Sequence, residues 1–150
     1  MIQKLKNYEE VALEATGASR GISTIWDKIK WELMTHKTSR HWIRTELRKL
    51  NTKEQYSIIN VYSPNHYREK EQCWKSVKEE ITERQSGHLI LGGDLNLIRN
   101  TEEKFGGTFH NDPSREALEG IIEEYKLIDI PPSNGKYTWN NKRIGKNNIK

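Results

Sequence analysis

The residues best spaced to do chemistry are in Leu89-Ile90-Leu91-Gly92-Gly93-Asp94-Leu95-Asn96. An apolar run ends in two glycines, and a carboxylate and a carboxamide follow two residues apart. Alternate residues at a strand end point to the same side, so Asp94 and Asn96 can converge on one point. The glycines leave room for another backbone or a phosphate to come close. An aspartate can hold a hard metal ion or activate water, and an asparagine amide can donate to a phosphate oxygen. The pair suggests phosphate-ester chemistry, although Gly, Asp and Asn are also common at an ordinary strand-to-turn junction.

A second constellation, Asn60-Val61-Tyr62-Ser63-Pro64-Asn65, also closes an apolar strand. Tyr62 can donate a phenolic hydrogen bond to a phosphate, and Asn65 can donate from its amide. A packed tyrosine before a proline turn would look the same. Sites in sheet proteins tend to form from loops beyond strand ends, so two such ends are more telling together. A third segment, Lys136-Tyr137-Thr138-Trp139-Asn140-Asn141-Lys142-Arg143, interleaves aromatics with cations. Tyr137 and Trp139 could stack on bases, and Lys142 and Arg143 could meet phosphates. A strand with packed rings and a solvated basic turn is the plainer alternative.

The elements that must position these groups follow from periodicity. Strands are predicted over 21–26, 31–38, 41–47, 56–62 and 88–98, the third and fourth of them as a hairpin. Cys73, Trp74, Val77 and Ile81 recur at helical spacing and predict a helix over 68–85. A second helix begins at Asp112-Pro113, aspartate as cap and proline in the first turn, with Ala117, Leu118, Ile121, Ile122 and Tyr125 as its apolar stripe. Short strands are predicted at 127–130 and from 137. Strands and helices mix without strict alternation, which implies an α/β or α+β layered fold.

The chain's 150 residues suit one domain. Its five Trp and six Tyr argue against disorder. Net charge is +4, which suits an anionic partner such as nucleic acid. One cysteine, Cys73, rules out an intrachain disulfide, and disulfide-linked partners are not expected in the reducing compartment this implies. No stretch approaches the ~20 apolar residues of a membrane span, and the start lacks an apolar signal core. The expectation is an intracellular protein, nuclear or cytoplasmic. The histidines show no metal-ligand spacing, and no nucleophile motif or phosphate loop appears.

Taken in order, Gly17-Ala18-Ser19-Arg20-Gly21-Ile22, Ile59-Asn60-Val61-Tyr62-Ser63-Pro64-Asn65, Gly92-Gly93-Asp94-Leu95-Asn96, Lys104-Phe105-Gly106-Gly107 and Gly135-Lys136-Tyr137-Thr138-Trp139 resemble the endonuclease/exonuclease/phosphatase family. The resemblance is nearest to the endonuclease domains of LINE-type (non-LTR) retrotransposons. It implies a four-layer α/β sandwich of two mixed sheets flanked by helices, and Mg²⁺- or Mn²⁺-dependent phosphodiester hydrolysis on DNA. Asp94 matches the family's water-orienting aspartate, Asn96 its phosphate-holding asparagine, Tyr62 its active-site tyrosine and Asn65 a phosphate-contacting asparagine. The matched phrases start after the family's metal-binding glutamate and stop before its Ser-Asp-His histidine. The expectation is therefore an incomplete domain over 1–150, truncated at both ends, with no complete metal site (Asp94 its one candidate ligand) and crippled catalysis. The alternatives are a nucleic-acid-binding remnant without catalysis and a phosphatase of the same superfamily.

Overall fold

The computed structural model describes residues 6–14, 21–84, 87–108, 111–135, 137–144 and 148–149. It divides into two compact units, Met1–Asn96 and Leu97–Lys150. The first unit runs β1 (Tyr8–Leu13), β2 (Ile22–Asp27), β3 (Trp31–Ser39), β4 (Trp42–Lys49), β5 (Gln55–Tyr62), α1 (Tyr67–Glu83) and β6 (His88–Asp94). β1 and β2 form an antiparallel pair, and the other four strands make one sheet in the order β3-β4-β5-β6. β3, β4 and β5 pair antiparallel in succession, while β6 joins β5 in parallel across the helical crossover. The fold is α+β, as expected. The larger sheet is mixed and the smaller one is purely antiparallel.

Period-2 alternation sorts the side chains of the larger sheet onto two faces. On one face, Ile43 and Leu47 cluster with Val11, Ile22 and Trp26 of the small sheet, and Leu33, Ile58 and Tyr62 pack at the margin. The two sheets are thus stacked over an apolar filling. On the other face, Trp42, Arg44, Ile59 and Val61 lie beneath α1. That helix buries Cys73, Trp74, Val77 and Ile81, the stripe legible in its spacing. Burial pushes the Cys73 thiol up to about 11, so it is a packed side chain rather than a nucleophile.

β1 was not apparent from the sequence, because its six residues bury only Val11 and leave Tyr8, Glu9 and Glu10 in solvent. β6 stops at Asp94 rather than at Ile98, because Asn96 takes a left-handed φ of 46° and turns the chain out of the sheet.

In the second unit, α2 runs Ser114–Tyr125. Pro113 is already helical, and Asp112 Oδ1 accepts from the Ser114 N–H at 3.0 Å, so the predicted aspartate cap works as read. The helix ends at Lys126, left-handed at φ 53°, with the Leu127 N–H donating back to the Ile122 carbonyl. Arg99 grips this helix with a two-pronged pair to Glu119 at 2.8 and 3.1 Å, and reaches Asp129 at 2.9 Å. Two expectations fail here. Residues 127–130 and 137–139 form no strand. Ile128 and Ile130, whose alternation suggested one, are 87% and 86% exposed and find no sheet to bury against.

A buried ionic layer joins α1 to β4. Arg44 lies 3.2 Å from Glu80 Oε2 and 3.6 Å from Glu46 Oε1. It also donates to the Glu80 carbonyl at 3.3 Å. Lys37 reaches Glu80 from β3 and is held above its ordinary pKa chiefly by that hydrogen bond. Ser57 donates to Glu46 at 3.0 Å. Removing one partner of a buried pair leaves an uncompensated charge, a loss of several kcal/mol. Because Lys37 still reaches Glu80, Arg44→Ala is predicted to cost about 3 kcal/mol, the low end of that range. Urea unfolding checks this against Lys75→Ala on the exposed side of α1, which should stay within about 0.5 kcal/mol of wild type.

Candidate functional site

The crossover from β5 through α1 to β6 brings the two motif-bearing strand ends side by side. Because β6 is parallel to β5, both run to their carboxyl ends at the same edge, where ligands of α/β sheets usually sit. Register places Tyr62 opposite Asp94, and Asn60 opposite Gly92. Tyr62 packs beside the core between the two sheets, while Asp94 is exposed. The Ser63 N–H donates to the Asp94 carbonyl at 2.8 Å, so the pairing continues one step past the strands.

The glycines at this edge have different jobs. Gly93 sits at φ +123°, and a Cβ there would lie 2.1 Å from the Val61 carbonyl oxygen and 2.9 Å from Asn60 Oδ1. Only glycine lets β6 approach β5 this closely. A Cβ on Gly92 would meet nothing within 4 Å, so the space beside Asp94 and opposite Asn60 is open. Asn60 fixes the neighbouring sheet, donating to the Ser23 carbonyl at 3.0 Å and to Thr24 Oγ1 at 3.4 Å.

Asp94 and Asn96 form an aspartate turn in which the Asn96 N–H donates to Asp94 Oδ1 at 3.1 Å. The Asn96 amide donates to the Ser63 carbonyl at 2.5 Å, which ties the end of β6 to the end of β5. One amide hydrogen of Asn96 is therefore spent on the scaffold, leaving the other hydrogen and Oδ1. Behind this turn Lys70, only 5% exposed, donates from Nζ to the Asn96 carbonyl at 2.6 Å. The ammonium satisfies a carbonyl that the left-handed turn takes out of the sheet. Ser63 is fully buried, and its hydroxyl has no partner among the described residues. Asn65 is exposed in the loop that leads into α1. His41 accepts the Tyr62 N–H at 2.8 Å through its carbonyl. Its imidazole is pushed below the usual histidine range, first by burial and then by Arg40.

Tyr62, Asp94 and Asn96 are thus brought to one edge, Asn96 through the turn after β6 rather than through strand alternation. Lys70 and Ser63 escaped the sequence reading. The signal for Lys70 was a lysine one turn before Cys73 and Trp74, at a position of the apolar stripe. Tyr137, Trp139, Lys142 and Arg143 belong to the second unit. Tyr137 is half-buried, with its ring centroid 6.4 Å from that of Phe105, and Trp139 is 61% exposed. Lys142 (φ 58°) and Arg143 follow asparagine turns and are exposed, so this segment is a basic, aromatic loop rather than a strand. Lys136 and residues 17–20 of the first matched phrase lie outside the described residues.

Mg²⁺ or Mn²⁺ would require hard oxygen ligands in near-octahedral array, usually including carboxylates. Asp94 supplies one carboxylate here, with one oxygen already accepting from Asn96. Glu9 and Glu10 sit within β1, opposite Trp26 and Ile25. Among the described residues, no three His, Cys, Asp or Glu side chains come together in a way that could hold a metal ion. The described residues do not complete a metal centre.

The close approach of β6 to β5 generates a paired prediction. Gly93→Ala puts a side chain at a left-handed φ against backbone, and should destabilise the chain by about 1–3 kcal/mol or more. Gly92→Ala should stay within about 1 kcal/mol of wild type. Thermal or urea unfolding of the two variants measures the difference directly.

No family model matches this chain, and no curated protein matches it. Among solved structures, it is similar to the human Nocturnin catalytic domain with a bound sulfate anion, at 13% identity and a TM-score of 0.45. That likeness covers 61% of this chain and 44% of the other, so the chain spans less than half of that domain. Among the described residues, no helix is long and apolar enough to cross a membrane.

Proposed function

We propose that this chain carries part of a phosphodiester-hydrolysing site of the endonuclease/exonuclease/phosphatase superfamily, of the kind found in LINE-type retrotransposon endonucleases. The observation that carries the reading is the parallel register that sets Tyr62 opposite Asp94, with Asn96 fixed beside them. A phosphate of DNA would take hydrogen bonds from the Tyr62 phenol and from the free hydrogens of Asn96 and Asn65. Asp94 would orient water or contribute one ligand to a divalent ion. The ordered sequence phrases support the retrotransposon type. The net charge of +4 and the exposed Trp139, Lys142 and Arg143 support DNA over a small phosphate.

The donor set limits what the site does. With one carboxylate and no three-ligand cluster among the described residues, the chain binds DNA at this edge and does not cleave it. Transition-state groups act as a unit, so a partial set loses most of the rate rather than a proportionate share. The test combines anisotropy of a labelled duplex with nicking of supercoiled plasmid in Mg²⁺, on folded wild type and Asp94→Ala. The expected result is DNA binding that weakens steeply between about 50 and 200 mM salt, with no nicking by either protein. Nicking by wild type that Asp94→Ala abolishes would overturn the binding-only reading. Absence of DNA binding at low salt would overturn the DNA reading as a whole.

A further inference from the structure

The end of the first unit remote from Tyr62 and Asp94 carries a concentration of charge that the strand-end site does not use. Three chain segments meet there: the start of β1, the β2–β3 turn and the β4–β5 turn. Backbone hydrogen bonds hold them side by side, from Lys28 N to the Asn7 carbonyl and from Leu50 N to the Lys30 carbonyl, each 2.9 Å. Residues 6–7, 27–30 and 49–54 contain five lysines (Lys6, Lys28, Lys30, Lys49, Lys53) against two carboxylates, Asp27 and Glu54.

Both carboxylates are already committed. Asp27 accepts from the Ile29 N–H at 3.0 Å and lies 3.6 Å from Lys30 Nζ. Glu54 accepts from Thr52 Oγ1 at 2.7 Å, and that bond is the main reason its pKa lies below the ordinary glutamate range. Lys28 and Lys53 are exposed and make no ion pair among the described residues. Lys53 sits at φ 62° at the tip of its turn, where asparagine or glycine would be the easier choice, and it projects a cation there. Two exposed apolar side chains interrupt the lysines, Ile29 at the turn tip (62% exposed) and Tyr8 opposite Asp27 (49% exposed). Cations fixed across adjacent turns, with a ring able to stack, match a phosphodiester backbone better than a single small anion.

We propose that this basic pole is a second nucleic-acid contact, distinct from the strand-end site, that grips DNA phosphates without reading sequence. The choice of DNA as the polyanion rests on the functional reading above; the charge arrangement does not. A chain with contacts at both ends of its sheet would hold a duplex more firmly than either end alone, because the second contact forms at high effective concentration.

Two variants of equal charge test this. Lys28→Gln/Lys30→Gln/Lys53→Asn removes three cations at the pole, and Lys75→Gln/Lys78→Gln/Lys126→Asn removes three exposed cations that belong to neither the pole nor the strand-end site. With both shown to be folded by circular dichroism, duplex binding is followed by anisotropy from 50 to 200 mM salt. The pole variant should bind about tenfold more weakly at low salt, with a log–log salt slope shallower by about 2–3. The control should keep near wild-type slope and affinity. Equal losses in both, or none in the pole variant, would overturn the proposal. So would loss of binding to vesicles of 70% phosphatidylcholine and 30% phosphatidylserine with DNA binding unchanged, which would make the pole a membrane contact. Tyr62→Phe/Asn65→Ala, which keeps the packed ring and removes the two donors, separates the two sites. Wild-type affinity in that variant, beside a weakened pole variant, would sink the strand-end reading and leave the pole standing. The reverse pattern would do the opposite.

Discussion

The rest of the first unit depends on how closely β6 lies on β5. That approach is possible because Gly93 has no side chain, since a Cβ would stand 2.1 Å from the Val61 carbonyl oxygen. Once the strands are in parallel register, Tyr62 and Asp94 fall opposite each other and the Ser63–Asp94 hydrogen bond extends the ladder beyond the sheet. The aspartate turn, the Asn96–Ser63 link and the Lys70 clamp then have fixed places to attach. The candidate site is built on backbone geometry first and side-chain chemistry second, which is how a loop-borne site acquires rigidity.

The helix that makes the crossover also controls this geometry from behind. Its apolar stripe seats it on β4 and β5, and the same stripe carries Lys70 at one end and Glu80 near the other. Lys70 stabilises the turn that presents Asp94 and Asn96. Glu80 meets Arg44 in a buried ionic layer that favours one helix position over its neighbours. A hydrophobic substitute for that layer would pack as well but hold the helix less specifically. The electrostatics of the interior and the placement of the strand-end residues are thus linked through one helix.

Much of this was legible in the sequence. β2 shows itself by alternation, with Ile22, Thr24 and Trp26 buried on one face, β4 and β5 by their β-branched and aromatic residues, and α1 by a stripe of four apolar residues. β1 did not, because Val11 is the one buried side chain in it. Ile128 and Ile130 misled for the opposite reason, since their alternation lacks a partner sheet and both stand in solvent. At the site, the residue types at 62, 94 and 96 were readable, but their convergence required knowing that β6 returns parallel to β5. Lys70 and Ser63 act through backbone carbonyls and an amide, groups that every residue carries, so nothing in local spacing marks their partners.

The central claim is that the paired ends of β5 and β6 form a phosphate-binding edge. Amide ¹H–¹⁵N spectra recorded while a short DNA duplex is titrated to saturation test it most directly. If phosphate binds at this edge, the resonances of Tyr62, Asn65, Asp94 and Asn96 move together, along one binding curve. A saturated complex in which these four amides stay where they were in the free protein would contradict it.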